Sequence, residues 1–189
     1  MKNDRKNIIL QSLASLLEGK NLSKVTTSLL AEKSEITEAA LYRHFPSKRA
    51  IYAELFSFCD EAIFIKCGEL KKSKLSPKEK TKNAFLFFMM FVEKNKGFAR
   101  LISREALSAD EQNVSDSVNQ FFERFELSIK QMLSEDQDNL ITQPGISAQL
   151  IVTCIEGNVG RYIRSKFKDS PSTYIDNIWK LLSLNIFKS

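Results

Sequence analysis

The sequence is poor in the residues that interrupt helices and form tight turns. Its 189 residues include six glycines and four prolines, whereas a β-sandwich or β-barrel needs a turn about every 8–12 residues. The longest apolar run, residues 84–92, is far shorter than the ~20 residues that span a bilayer. The first residues, MKNDRKN, lack the hydrophobic region of a signal peptide. We therefore expect a soluble cytoplasmic protein without membrane association.

Residues that hold metals or perform covalent catalysis are also scarce. The chain has a single histidine, His44, and three cysteines, Cys59, Cys67 and Cys154, without C-x-x-C spacing. A four-ligand zinc site would have to recruit carboxylates, and a Ser-His-Asp or Cys-His arrangement would depend on His44 alone. No glycine-rich phosphate loop is present. The sequence predicts reduced thiols, no metal, no cofactor and no enzymatic activity.

Positive charge is concentrated in the first quarter of the chain. Residues 1–50 contain nine lysines and arginines against five acidic residues, an excess of four out of the net charge of +5. Such a basic segment on a nearly neutral body is typical of proteins that bind a polyanion, and nucleic acid is the first candidate. A solvated basic surface is the alternative, and charge alone does not decide between them.

Apolar residues recur with helical spacing along almost the whole chain. Ile9, Leu13, Leu16 and Leu17 form one stripe of a first helix that ends near Gly19. Further segments follow the same period at 51–68, 82–95, 98–107, 114–133, 147–168 and 173–187. Polar connections are expected at 71–80 and 134–145, and the period-2 alternation of strands is absent. The pattern predicts an all-α fold with a three-helix head over residues 1–46 and a helical body over residues 47–189.

The head contains a stretch, residues 25–51, that predicts a helix-turn-helix. Thr26 is placed to cap a helix that starts at Thr27, and Thr37 is placed to cap a second short helix that ends before Pro46. Ser47 is placed to cap the next helix. In a helix-turn-helix the second helix enters the major groove and its first residues meet base edges.

Different residues of this stretch suit different parts of a DNA duplex. The small side chains of Ala39 and Ala40 allow the helix to approach the bases and contact thymine methyl groups. Tyr42, His44 and Lys48 are donors suited to phosphate oxygens, and Lys48 adds its charge to a helix N-terminus. The alternative is a three-helix bundle that does not bind DNA. The predicted DNA-binding residues are Thr26, Thr27, Thr37, Glu38, Ala39, Ala40, Tyr42, His44 and Lys48.

The run AALYRHFPSK resembles the DNA-binding head of TetR-type regulators. Tyr42, Phe45 and Lys48 reproduce the Tyr-x-x-Phe-x-x-Lys spacing of that family. The chain departs from the family at Glu35, where glycine is usual; a residue other than glycine costs roughly 1 kcal/mol in a left-handed turn, unless the turn is shaped differently. The runs ILQSLASLLE, FFERFELSIKQ and EGNVGRYIRSKFK resemble one branch, the SlmA family of nucleoid-occlusion factors.

This resemblance implies a function and a set of partners. It implies an obligate homodimer that binds palindromic chromosomal DNA sites, antagonises polymers of the division protein FtsZ and blocks septum formation over the nucleoid. An ordinary TetR-type repressor released by a small-molecule ligand is one alternative, and a helical interaction module without DNA binding is another. By the same resemblance, the FtsZ-binding residues would be Phe58, Lys66, Phe87, Met90, Lys94 and Asn95.

The last two helical segments carry matching apolar stripes. Gly157 and Gly160 allow another helix to come close, and two terminal amphipathic helices suit a two-fold four-helix interface. Packing of both stripes on their own subunit is the alternative. The predicted dimer-interface residues are Ile151, Ile155, Val159, Ile163, Ile175, Ile178, Trp179 and Leu182.

Overall fold

The computed structural model describes residues 2–19, 25–108 and 111–188. Lys20 and Lys24, which contribute to the basic excess, lie outside these ranges. Within them β structure is limited to one isolated bridge between Leu140 and Phe187, which confirms the predicted all-α fold. The described ranges contain α1 Lys2–Leu17, α2 Thr27–Lys33, α3 Glu38–His44, α4 Lys48–Lys72, α5 Pro77–Lys94, α6 Lys96–Ile102, α7 Gln112–Ser134, α8 Pro144–Arg164 and α9 Ile175–Ile186. Two 3₁₀ segments lie at Gln137–Asn139 and Pro171–Tyr174.

The chain divides into two compact units. Unit 1 comprises residues 1–60 and 95–118, and unit 2 comprises residues 61–94 and 119–189. Two of the three boundaries fall inside the long helices α4 and α7, and the third lies between α5 and α6. The predicted helix-turn-helix therefore belongs to unit 1, together with α1 and α6.

In unit 1, helix α6 packs against the C-terminal half of α1. A β-carbon at Gly97 would lie 2.9 Å from the carbonyl oxygen of Ala14, so the two helices touch at this glycine. The buried Arg100 donates from Nη1 to the carbonyl oxygen of Leu17 at 2.6 Å and also to that of Gly19. The Leu17 carbonyl lies in the last turn of α1, where a helix leaves its acceptors unpaired, and Gly19 follows that turn. Arg100 thus caps α1 from another helix.

The core of unit 2 is built around the phenylalanine-rich helix α5. The ring of Phe88 lies 4.9 Å from that of Phe125 and 5.9 Å from that of Phe121, while Phe85 lies 5.8 Å from Trp179. All five side chains are buried. Offset and tilted aromatic pairs at such distances are typical of a packed core.

The connection between α4 and α5 is shorter than the predicted segment 71–80, so that prediction is wrong at both ends. Helix α4 continues through Lys72, and α5 begins at Pro77, whose missing N–H is not needed in a first turn. A capping box starts α5: the Ser76 N–H donates to Glu79 Oε2 at 2.9 Å, and the Glu79 N–H donates to Ser76 Oγ at 3.3 Å. Hydrogen bonds from Ser76 lower the pKa of Glu79.

The predicted dimer-interface residues lie mostly on the buried sides of α8 and α9. Most of the predicted stripe is occupied within its own subunit, because α8 and α9 both pack against α5. Buried in this way are Ile151, Ile155, Val159, Ile175, Trp179 and Leu182. Ile163 and Ile178 are half-buried. The exposed large apolar side chains on these two helices are instead Ile146, Leu150, Leu181 and Leu184.

Candidate nucleic-acid interface

Two threonines start the two short helices of the helix-turn-helix. Thr26 has extended backbone, and its hydroxyl oxygen accepts from the Leu29 N–H at 3.1 Å; Thr37 accepts in the same way from the Ala40 N–H at 3.2 Å. Both predicted caps are confirmed. A hydroxyl that accepts a hydrogen bond still carries its own hydrogen, which a phosphate oxygen can accept.

The turn between α2 and α3 has the left-handed conformation that glycine favours, although Glu35 occupies it. Glu35 has φ 55°, and its N–H donates to the Glu32 carbonyl at 3.0 Å. The Ile36 N–H donates to the Ala31 carbonyl at 3.0 Å, which completes a Schellman motif. The left-handed turn is thus retained although Glu35 stands where glycine is usual. This conformation costs Glu35 about 1 kcal/mol in steric strain.

Helix α3 presents one buried side and one solvent-exposed side. Leu41 is fully buried and anchors the helix on unit 1, whereas Tyr42 is 47% exposed. Glu38 and Ala39 are also exposed, and Ala40 is half-buried. This is the arrangement that a recognition helix needs, because the bases must meet a face that no other helix covers.

A side-chain hydrogen bond joins α2 to α3. The Thr27 hydroxyl donates to Glu38 Oε2 at 3.1 Å. Both residues belong to the predicted DNA-binding set, and the structure brings their side chains together. The contact holds the Glu38 carboxylate beside the first turn of α3, where an acidic group is also favoured by the helix dipole.

The start of α4 carries the predicted phosphate contact Lys48. The Ser47 hydroxyl accepts from the Ala50 N–H at 3.1 Å, which confirms the predicted cap. Lys48 Nζ lies 3.8 Å from Glu111 Oε1 and 5.2 Å from the centroid of the Tyr52 ring, and the Lys48 side chain is 37% exposed. Burial, followed by the charge of Glu111, raises the pKa of Tyr52. The ammonium therefore has protein on one side and solvent on the other.

Two arginines and one histidine add donors to this region. His44 is half-buried in the last turn of α3. Arg43, beside it, and Arg49, in the first turn of α4, are exposed. Neither arginine was among the predicted DNA-binding residues, although the basic run around Pro46 was the signal that could have indicated them.

The predicted FtsZ-binding residues are divided between the two units. Phe58 and Asn95 belong to unit 1, where both border a cavity of about 270 Å³. Phe58 is 65% exposed. In unit 2, Lys66 Nζ lies 3.0 Å from Glu69 Oε2, and the half-buried Phe87 ring lies 5.9 Å from that of Phe91. Met90 and Lys94 are exposed.

None of the helices in the described ranges has the length and apolar character needed to cross a bilayer. Across those same residues, no group of three His, Cys, Asp or Glu side chains is arranged to hold a metal ion. The three cysteines are free thiols, and burial raises the pKa of Cys67 to about 11. A thiol with so high a pKa is a poor nucleophile.

Two family descriptions match the chain. Residues 9–55 match bacterial regulatory proteins of the tetR family, and residues 79–186 match the tetracyclin repressor-like C-terminal domain of SlmA-like proteins.

Solved structures of the same fold include NalD, the secondary repressor of a multidrug efflux pump in Pseudomonas aeruginosa. Its TM-score is 0.78 at 16% identity, covering 100% of this chain and 98% of that one. FadR from Bacillus subtilis, in complex with stearoyl-CoA, has a TM-score of 0.77 at 15% identity, covering 95% and 98%.

Curated relatives align over nearly the whole chain. The nucleoid occlusion factor SlmA of Vibrio campbellii is 34% identical over 98% of this chain and 97% of its own length. The SlmA protein of Marinobacter nauticus is 32% identical over 96% and 95%. The chain therefore belongs to the SlmA family of nucleoid occlusion factors, a branch of the TetR family of bacterial regulators.

Proposed function

We propose that this protein is a nucleoid-occlusion factor that binds palindromic chromosomal DNA as a homodimer and antagonises FtsZ polymers while bound. The observation that carries the proposal is a helix-turn-helix with an uncovered recognition face, in a chain that aligns with SlmA proteins over 98% of its length. On this proposal the protein is cytoplasmic and associated with the nucleoid.

The DNA contact follows from the exposed side of the helix-turn-helix. Helix α3 enters the major groove with Ala39 and Ala40 toward the bases, where small side chains permit a close approach. The hydroxyls of Thr26 and Thr37 and the side chains of Tyr42, His44 and Lys48 bind phosphates. Arg43 and Arg49 extend the same basic surface. Phosphate contacts set affinity and register, while the base-facing residues set sequence preference.

The dimer is formed by the exposed apolar faces of α8 and α9. Leu150 on α8 is 43% exposed, and Leu181 on α9 is 64% exposed. Both border an apolar groove that also involves Cys154, Ile178, Leu182 and Asn185. Apolar side chains clustered around a groove mark an interaction site. A second copy covers this groove, so that two heads read two half-sites.

FtsZ is bound through the exposed apolar side chains that the family resemblance indicates. Phe58 in unit 1 is 65% exposed and Met90 in unit 2 is 47% exposed, so both side chains are accessible to a partner. Lys66 and Lys94 supply positive charge for an acidic partner segment. If DNA binding favours FtsZ capture, linkage requires FtsZ to tighten DNA binding by the same factor.

Sedimentation of FtsZ polymers tests this function. We expect the protein with a DNA duplex to reduce the amount of FtsZ in the pellet, and the variant Phe58→Ala to lose this effect. The variant Ile65→Ala is the matched control, because Ile65 is 57% exposed on the same helix but is not in the predicted site. An unchanged pellet at saturating protein and DNA would contradict the proposal.

The alternative function is a transcriptional repressor released by a small molecule. It is favoured by the cavity in unit 1, which Leu10, Leu55 and Phe98 help to line. The volume of about 270 Å³ lies just below the range of about 300–1,000 Å³ that is typical of ligand sites. A repressor of this kind would bind DNA but leave the FtsZ pellet unchanged.

A further inference from the structure

A buried carboxylate stands immediately before α7 in unit 1. Glu111 is 2% exposed. Its Oε2 accepts from the Ser108 N–H at 2.9 Å and from the Ser108 hydroxyl. This is the Ser-x-x-Glu pattern that starts helices, and it fixes the position of the carboxylate.

The other oxygen of this carboxylate faces Lys48. Glu111 Oε1 lies 3.8 Å from Lys48 Nζ, and Lys48 is the only basic side chain that forms an ion pair with it among the described residues. A carboxylate removed from water is costly unless a cation accompanies it. Glu111 therefore attracts the Lys48 ammonium more strongly than a solvent-exposed carboxylate would.

We propose that Glu111 attenuates DNA binding by acting as an internal counter-anion for Lys48. The inference rests on the proposed function, since it requires Lys48 to bind phosphate. A phosphate that reaches the ammonium approaches the Glu111 carboxylate at the same time, and the two anions repel each other. Phosphate binding also weakens the Lys48–Glu111 pair and leaves the buried carboxylate less well compensated.

This arrangement links the segment before α7 to the DNA-binding face. The affinity for DNA depends on how closely Glu111 approaches Lys48, because each anion lowers the affinity of the lysine for the other. Ser108 contributes to this effect, because its two hydrogen bonds hold the Glu111 carboxylate in place. Glu111 is accordingly an affinity-setting residue that acts through Lys48.

The variant Glu111→Gln tests the inference in the full-length protein. The probe is a labelled mixed-sequence duplex of about three helical turns, because a phosphate contact does not depend on sequence. We expect Glu111→Gln to bind it about fivefold more tightly, within the range of ordinary coupling between interacting sites. The double variant Lys48→Ala/Glu111→Gln should bind like Lys48→Ala alone, because the coupling requires the ammonium.

Two further variants keep the carboxylate of residue 111 or its equivalent but change how firmly it is held near Lys48. Glu111→Asp keeps the charge but draws it away from Lys48, so it should bind the duplex about twofold more tightly than the unaltered protein does. If the glutamine variant does not fold, equal affinity of Glu111→Asp and the unaltered protein would overturn the inference. Ser108→Ala removes a hydrogen bond to Glu111 and keeps the carboxylate, so it should tighten binding less than Glu111→Gln. Equal affinity of Glu111→Gln and the unaltered protein, both folded, would overturn the inference alone. Absence of duplex binding by the unaltered protein would overturn the proposed function as well.

Discussion

The Thr27 hydroxyl donates a hydrogen bond to Glu38 Oε2 at 3.1 Å, so the first turns of α2 and α3 are joined by two side chains of the predicted DNA-binding set. The contact restricts the Glu38 carboxylate at the N-terminal end of α3, the end that meets base edges in helix-turn-helix proteins. On the proposed function, this carboxylate is placed to accept a hydrogen bond from a cytosine amino group and to repel phosphates.

The variant Glu38→Ala should bind DNA with less discrimination. Its affinity for a mixed-sequence duplex should rise because a negative charge is removed, while preference for a duplex selected from a random pool should fall about tenfold. The measurement is the dissociation constant for the mixed-sequence duplex divided by that for the selected duplex. Thr27→Val, which removes the hydrogen bond but keeps the carboxylate, should lower the ratio less. An unchanged ratio in Glu38→Ala would show that Glu38 does not read bases.

The variant Glu35→Gly should stabilise the protein. Glu35 has φ 55°, and glycine adopts this conformation without steric cost. After the larger entropy of glycine in the unfolded chain is subtracted, the free energy of unfolding should rise by about 0.5 kcal/mol. Urea denaturation followed by circular dichroism measures the change. Glu35→Ala removes the charge but keeps the steric cost, so it is the control, and equal stability of the two variants would refute this explanation.

The variant Gly97→Ala should destabilise the contact between α1 and α6. Its β-carbon would lie 2.9 Å from the Ala14 carbonyl oxygen and 3.3 Å from Leu17 Cβ. Neither atom belongs to the far end of a flexible side chain, so the helices must separate, at a cost of about 1–3 kcal/mol. Gly68→Ala is the matched control, because nothing lies within 4 Å of a β-carbon there. That substitution in the interior of α4 should stabilise by about 0.5–1 kcal/mol, and the same sign for both variants would contradict this packing.

The variant Leu181→Glu should convert the dimer to monomers. Leu181 borders the apolar groove of α8 and α9, and a charge buried in a dimer interface has no compensating partner. Sedimentation velocity should show the loss of the dimer, and DNA affinity should fall because two half-sites are no longer read together. Leu127→Glu is the control, since Leu127 is 51% exposed on α7. Dimerisation of Leu181→Glu would place the interface elsewhere.

Local signals in the sequence were sufficient for the helix-turn-helix. Thr26, Thr37 and Ser47 were predicted as caps from their type and position, and each accepts the expected backbone N–H. Such caps involve residues three apart, so their partners can be found from the sequence alone. Helical periodicity also depends on residues close in sequence, and it predicted the remaining α-helices. It did not predict the two 3₁₀ segments, and α6 ends at Ile102 rather than at residue 107.

The same local signals do not predict contacts between segments that are far apart in the sequence. Periodicity identified the stripe containing Ile151 and Trp179, but it does not say what covers a stripe, and here the subunit itself covers it. Helix α8 also carries the exposed Leu150 beside its buried stripe. The Lys48–Glu111 pair joins residues whose approach depends on the packing of unit 1. No local spacing in the sequence indicates that pair.

The salt dependence of DNA binding shows whether Lys48 binds a DNA phosphate. Dissociation constants of the unaltered protein, Lys48→Ala and Lys72→Ala for one mixed-sequence duplex should be measured over a range of salt concentrations. Lys72→Ala removes the same charge from the other end of α4. We predict that the unaltered protein binds, and that Lys48→Ala alone weakens binding and reduces the slope of log K against log salt by about one. Absence of binding at low salt, or identical slopes for the two variants, would contradict the account.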